Sequence, residues 1–291
     1  MSIENVSDTA RWVALYRAME SERPDALFHD PFARRLAGED AEAMVRAIPR
    51  GMGTAWAMIV RTAVMDEVIL RLVREQGVDV VLNLAAGLDT RPYRLDLPAD
   101  LMWVEADFAP VLAYKTEHLE AEVPRCRLAR EPVDLTDAQA RRTLLHRAVN
   151  AGSRGLVVTE GLMVYLTREQ VGAFAGDLHD QPALQWWLTD LASPRLLKMM
   201  QRSHGRAMND DVQFRFAPPE GPDFFAPFGW HLAEYHSIME EARRLDREMR
   251  GAWIVHLISA ISKKQREVAR RMSGTVLLRR RPAPRPTTDD R

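Results

Sequence analysis

The sequence predicts an α/β fold, a doubly wound and mostly parallel sheet of seven strands, and three observations predict it. From residue 78 onward, short apolar runs alternate with helical patterns, the rhythm of successive strand–helix–strand units. The first run, Val80-Val-Leu-Asn-Leu84, is almost wholly apolar, as a strand buried on both faces must be. It stops at Ala85-Ala-Gly-Leu-Asp89, a small-residue turn of the kind that hands the end of a parallel strand to a ligand. With right-handed crossovers, the ligand crevice is expected at the carboxyl ends of the strands.

Residues 1–53 read as an N-terminal helical cap. Ser7 or Asp8 can cap a first helix that carries Trp12, Val13, Leu15, Tyr16 and Met19 on its apolar face. Asp30-Pro31 gives an N-cap and a first-position proline to a second helix with Phe32 and Leu36. Thr54 opens a long helix to Gln76, in which Trp56, Ile59, Val60, Ala63, Val64, Val68, Ile69, Leu72 and Val73 fall at helical spacing. Gly77 is placed to end it.

Strands are expected at 78–85, 101–105, 155–160 and 184–189, with another ending near 133–135. Phe108-Ala-Pro110 leads a helix to about residue 122, and Thr136 with Gln139 and Thr167 with Gln170 both match the capping box. Residues 230–236 and 275–278 supply two further strands, separated by a helix over 237–249 with Ile238, Met239, Ala242 and Leu245 inward. Residues 195–230, rich in Met, His, Arg, Phe and Pro, break the rhythm. They read as a helical insert forming a lid over the crevice, with a plain packing excursion as the alternative. Residues 1–281 thus make one domain with its cofactor core at 54–190, and the proline-rich polar tail 282–291 is expected to be disordered.

Forty Lys and Arg stand against 41 Asp and Glu, a formal charge of -1, so composition makes no case for nucleic acid. The Arg279-Arg-Arg281 cluster reads as solvated charge at a strand end. Hydrophobic content of 46% supports a full core. The single cysteine, Cys126, excludes an intramolecular disulfide and a cysteine-based metal cluster, and no motif marks it as reactive. None of the eight histidines forms an H-x-x-x-H pair, so no metal site is expected. No basic region and apolar core open the chain, and no apolar run approaches the roughly 20 residues that span a bilayer. The expectation is a cytoplasmic protein with a small-molecule substrate, without nucleic acid or membrane as partner. Oligomeric state stays open.

A dinucleotide site needs three glycines after the first strand so that pyrophosphate can approach backbone N–H groups. The turn here has one, Gly87, which counts against NAD or FAD and fits a ligand without phosphate, S-adenosylmethionine foremost. A carboxylate ending the second strand should hold ribose hydroxyls, and Glu105 and Asp107 both stand there, roughly 20 residues after the turn.

Three separated motifs then occur in order: Asn83-Leu-Ala-Ala-Gly-Leu-Asp-Thr-Arg-Pro-Tyr-Arg94, Trp103-Val-Glu-Ala-Asp107 and Glu160-Gly-Leu-Met-Val-Tyr165. With Thr9-Ala-Arg-Trp-Val-Ala14, Glu20-Ser-Glu-Arg-Pro-Asp-Ala-Leu-Phe-His-Asp-Pro-Phe-Ala33 and Phe228-Gly-Trp230, the chain resembles the leucine carboxyl methyltransferase family. Within it, the chain looks most like the bacterial small-molecule branch typified by the tetracenomycin-pathway carboxyl methyltransferase. The resemblance runs from about Thr9 to Leu278.

It implies a Rossmann-like class I methyltransferase fold with S-adenosylmethionine as cofactor. It implies that Arg61 pairs with the methionyl carboxylate, which suits a bidentate guanidinium. It lays the turn Ala85, Ala86 and Gly87, with Asn83 and Asp89 in the same motif, against the cofactor. It makes Asp107 the ribose-region acid with Glu105 close by, Asp134 and Leu135 the pair flanking the adenine, and Glu160 the acid near the methionyl amine. Some family members have glycine where this chain has Ala85, and a methyl there is expected to keep φ negative.

Methyl transfer from a sulfonium needs alignment and exclusion of water above all. A carboxylate acceptor is already ionised at neutral pH and needs no base, whereas a phenol, with a pKa near 10, benefits from one. No Ser-His-Asp signature is evident. Candidates for holding the acceptor are Tyr16 and Arg17, Tyr165, and His204, Arg206 and Arg215 from the insert. For Tyr16 and Tyr165 the alternative is a core-edge tyrosine. For His204 the structural reading is favoured. The leading expectation is an O-methyltransferase esterifying a small natural-product carboxylate. A phenolic O-methyltransferase, a non-catalytic cofactor-binding protein and, last, an NAD-dependent oxidoreductase are the rivals.

Overall fold

The computed structural model describes residues 6–47, 52–149, 153–204, 213–249, 251–252 and 262–281. Seven strands form one sheet: β1 (Val80–Leu84), β2 (Met102–Asp107), β3 (Arg127–Pro132), β4 (Gly155–Thr159), β5 (Leu184–Ala192), β6 (Trp230–Ser237) and β7 (Ser273–Arg280). Their order is β3-β2-β1-β4-β5-β7-β6. The first five are parallel, and β7 runs antiparallel between β5 and β6, so the sheet is mixed at one edge.

Side-chain alternation along the strands separates two cores. Leu82, Leu84, Val104, Val157 and Trp187 point to one face. There they meet Leu144 and Leu145 of a helix over Ala138–Ala148 and Val171, Phe174 and Leu178 of another over Arg168–His179. Val81, Trp103, Leu156, Val158 and Leu188 point to the other, against Met65, Ile69 and Leu72 of the long helix Ala55–Gln76. The helix pattern after Thr54 is realised, and Gly77 closes it in the left-handed region, φ 64°. The N-terminal helices Val6–Ser21, Ala33–Ala37 and Ala41–Ala47 build a third cluster around Leu15, Tyr16, Leu36 and Val45.

Several local expectations are corrected. The first helix already runs through Ser7 and Asp8. Pro31 lies in a turn, and the second helix starts at Ala33 because the Asp30 carboxylate is drawn into buried ion pairs. Thr136 caps nothing: its hydroxyl donates to Asp134, and Asp137 accepts from Gln139 and Ala140 N–H as the N-cap. The Thr167–Gln170 capping box forms. The helix after Phe108 ends at His118, where Leu119 turns in to pack on the N-terminal cluster. The helix expected over 237–249 stops at Arg244, because Asp246 takes φ 52° and turns Arg247 back onto the buried carboxylate of Glu20.

The segment expected to cover the crevice divides in two. Helix Pro194–His204 leaves the carboxyl end of β5 on the crevice side. Phe216, Phe224, Phe225 and Trp230 instead fill the core under the Arg168–His179 helix, with Phe225 and Trp230 edge-on to Trp187. That half is a packing excursion, because these four aromatic side chains would otherwise stand in water. Tail residues 282–291 lie outside the described residues. No helix among the described residues is long and apolar enough to cross a membrane.

Candidate active site

Strand register sets four residues in one row. Leu84 pairs with Ala106, Asn83 with Val158, and Thr159 with Thr189. Asp107, Ala85, Glu160 and Asp190 therefore stand level across the carboxyl end of β2, β1, β4 and β5. The strand order reverses between β2 and β4 around β1, which is where open α/β sheets bind ligands.

The turn after β1 is pinned to β2. Ala85 and Ala86 N–H both donate to the Ala106 carbonyl, at 2.8 and 3.2 Å. This closure drives Ala85 to φ 58°, so the expectation of a negative φ is overturned. An L-residue there costs roughly 1–2 kcal/mol over glycine. Gly87 follows at φ 49°, and a Cβ on it would come 3.3 Å from the Ala10 methyl, so the first helix rests on the turn. Gly87 N–H donates to Asp107 Oδ2 and Phe108 N–H to Oδ1, both at 2.7 Å. Burial pushes the Asp107 carboxyl above its ordinary range despite those two donors.

Beside the turn lies a buried chain of ion pairs. Arg61, from the long helix, donates Nε to Glu160 Oε1 at 3.0 Å and Nη1 to Asp190 Oδ2 at 3.3 Å. Its Nη2 is in neither bond, and Gly161, at φ 70°, leaves room above the guanidinium. Glu160 Oε2 accepts from Arg91 Nη1 at 2.7 Å, and Arg91 also grips Asp89 and Asp66. Asp66 takes Arg94 through two bonds, Arg94 approaches Asp30 at 3.9 Å, and Asp30 binds Arg17 at 2.8 Å. Burial would raise the Glu160 carboxyl, but Arg91 and Arg61 hold it down at about 2. Arg91 and Lys115 likewise hold the Asp89 carboxyl well below the usual carboxylate range, against its burial.

The other predicted residues scatter around this frame. Glu105 is corrected: it is fully buried, with Lys115 Nζ at 2.6 Å on one oxygen and Arg130 Nε at 3.0 Å on the other, so no ligand reaches it. Arg17 is corrected as well, its guanidinium spent on Asp30 and the Leu88 carbonyl. Tyr16 packs in the N-terminal cluster with its hydroxyl bonded to Thr54, and burial raises its pKa. Asn83 and Asp89 bond each other at 2.7 Å and brace the turn from inside, rather than facing a ligand. Asp134 is exposed and caps its own turn through Thr136 N–H, while Leu135 is buried and its carbonyl accepts from Arg141.

Tyr165 is half-buried at the end of β4, hydrogen-bonded to Thr9 and with its ring 5.4 Å from Phe214. Burial raises its pKa. Arg215 is exposed and its N–H donates to the Val164 carbonyl. Arg206 and the side chain of His204 lie outside the described residues. Among the described residues, no group of three His, Cys, Asp or Glu could hold a metal ion.

Asp30, Asp66, Arg91, Arg94 and Asp190 were missed as site residues. Arg91 and Arg94 were visible in the first motif and Asp66 lies five positions after Arg61. Asp190 carried no signal, since one acid ending a strand looks like any other.

The sequence model of the family described as leucine carboxyl methyltransferase matches residues 10–177. A protein of Parafrankia sp. is 33% identical over 269 residues, covering 82% of each chain. One of Streptomyces coelicolor is 32% identical over 256 residues, covering 83% of this chain and 88% of its own. Both are assigned by name to the S-adenosyl-L-methionine-dependent methyltransferases. Among solved structures, a DUF574-family protein of Streptomyces avermitilis superposes with a TM-score of 0.62 at 13% identity, over 94% of this chain and 97% of that one. At that identity the likeness speaks to the fold alone. The match spans the N-terminal cap, the turn, Asp107 and Glu160, and on it the chain belongs to the leucine carboxyl methyltransferase family.

Proposed function

We propose that this chain is an S-adenosylmethionine-dependent O-methyltransferase that esterifies a carboxylate on a small natural product in the cytoplasm. The residues fit the cofactor. Asp107 is a buried carboxylate whose two oxygens each accept one N–H and retain a second lone pair, which suits the vicinal hydroxyls of a ribose. Arg61 has a terminal nitrogen outside its ion pairs for a carboxylate, and Glu160 stays ionised beside it for an ammonium.

When bound, the cofactor supplies a methyl group on a cationic sulfur, whose C–S bond breaks as an acceptor lone pair forms the new bond and the pair returns to sulfur. The chain's part is to bind, orient and exclude water. The first helix covers the turn through Ala10 and reaches Tyr165 through Thr9. Tyr165, with its pKa raised by burial, stays protonated at neutral pH and can donate its hydroxyl hydrogen to an acceptor oxygen.

One observation carries the choice of carboxylate over phenol. Among the described residues at the crevice, Arg91 and Arg61 hold Glu160 at about 2 and burial raises Tyr165, so neither serves as a base near pH 7. A carboxylate acceptor needs none.

The test is incubation with isotope-labelled cofactor and matched panels of free acids and phenols, read by mass spectrometry. A base-labile methyl ester on an acid is expected. Label on phenols alone, or cofactor binding with no transfer to any member of either panel, would overturn the reading.

A further inference from the structure

Asp190 is the one site carboxylate that neither the motifs nor the proposed contacts account for. Its Oδ1 accepts from Gly161 N–H at 2.6 Å and its Oδ2 faces Arg61. The linked ion pairs contain four guanidinium groups, Arg17, Arg94, Arg91 and Arg61, against five carboxylates, Asp30, Asp66, Asp89, Glu160 and Asp190. The neighbouring triad of Lys115, Arg130 and Glu105 adds one positive charge, and Asp107 cancels it. One negative charge is therefore left over at the carboxyl end of the sheet. Asp190, with a side chain 20% exposed, is the least buried of the five carboxylates in these linked ion pairs. The cations at Arg195, Lys198 and Arg202 are exposed, so solvent screens them.

Resting on the proposed function, we infer that Asp190 is a specificity-determining residue that makes the site prefer the cationic methyl donor to its neutral thioether product. S-adenosylmethionine carries one negative and two positive charges, so it neutralises the surplus. S-adenosylhomocysteine has lost the sulfonium charge and leaves the surplus uncompensated. With the donor in place, an anionic acceptor meets a site with no net repulsion. A unit charge within about 10 Å at an effective dielectric near 20 changes affinity on the order of tenfold.

Titration calorimetry of the full chain with S-adenosylmethionine, S-adenosylhomocysteine and sinefungin tests this. Sinefungin carries a protonated amine in place of the methylsulfonium. The donor and sinefungin are expected to bind roughly tenfold tighter than the thioether. Asp190→Asn, which keeps an acceptor for Gly161 N–H, should bring that ratio close to one by weakening the two cations. Equal or tighter binding of the thioether by the wild-type protein overturns the inference without needing the variant, as does an unchanged ratio in Asp190→Asn. Failure of all three to bind removes the proposed function and this inference together, an outcome distinct from a ratio near one.

Discussion

Replacing Ala85 by glycine should leave the protein as stable as before or more so, although it deletes a partly buried methyl. Ala85 sits at φ 58° because its N–H and that of Ala86 share one carbonyl. Relief of the left-handed conformation returns roughly 1–2 kcal/mol. Against this, glycine loosens the unfolded chain by about 0.4–1 kcal/mol. Loss of a half-buried methyl costs about 0.4 kcal/mol more, half of a fully buried one. The sum lies between slight loss and a gain of about 1 kcal/mol.

Ala86→Gly is the control, since Ala86 is 5% exposed and is not among the residues with positive φ. It has no strain to relieve, so it should lose about 1–2 kcal/mol. Denaturant unfolding of the two ligand-free variants should show a gap near 2 kcal/mol, on the order of 5 °C in a thermal melt. Equal losses in both would refute the strain reasoning. Ala85→Val gives a second reading: a β-branched side chain at this φ should be worse than alanine by at least ~1 kcal/mol.

Lys115→Met takes one of two cations from the buried Glu105, which keeps Arg130, and should cost about 1.5–3 kcal/mol, with Glu105→Gln added restoring part of it; urea midpoints that make the double variant the weaker one count against a paired burial. Cys126 is buried, with burial raising its thiol to about 11, so at pH 8 only about 0.1% is thiolate. A thiol reagent should label it only as fast as the protein opens, and prompt stoichiometric labelling would contradict its placement. Arg91 and Arg61 hold Glu160 at about 2 against an ordinary 4.5, so its contribution is complete above about 4.5 and is lost as pH falls toward 2. Asp89 and Asp30 act in the same direction. Unfolding midpoints should therefore drop by the equivalent of about 3 kcal/mol or more between pH 6 and about pH 2. A flat profile would mean that the ion-pair chain does not persist in solution.

Strands β1, β2, β4 and β5 were legible because parallel strands buried in the sheet leave apolar runs. Strand β3, Arg-Leu-Ala-Arg-Glu-Pro, is instead polar and only partly buried, and was placed only by its expected end near 133–135. Asp107 was legible for a related reason: its distance from the turn is fixed by one helical crossover. Glu105 was not separable from Asp107 in sequence, because two residues apart on a strand they share a face and only the packed partners differ. Lys115 and Arg130 come from a helix and a strand on either side, and no local pattern announces that they converge. The conformation of Ala85 was misread because φ there is imposed by two N–H groups closing on β2, a long-range constraint that outweighs the intrinsic preference of alanine. Residues 214–230 were read first as part of a lid, because their composition does not tell a cover over the crevice from the core packing that Phe216, Phe224, Phe225 and Trp230 adopt.

The position of β7 has a consequence for how the chain is made. Among the described residues it is the last strand in sequence, yet it sits between β5 and β6 and is the one strand paired with β6. From Ala192 to Ser273 is 81 residues, so on a ribosome the free edge of β5 waits for all of them. At ~5–20 residues per second that interval is roughly 4 to 16 s. Throughout it the nascent protein displays an unpaired edge holding Trp187, Leu188 and Thr189, open to the intermolecular pairing that aggregation exploits. Aggregation during translation is thus expected to lower the yield from a recombinant host even where the finished sheet is stable.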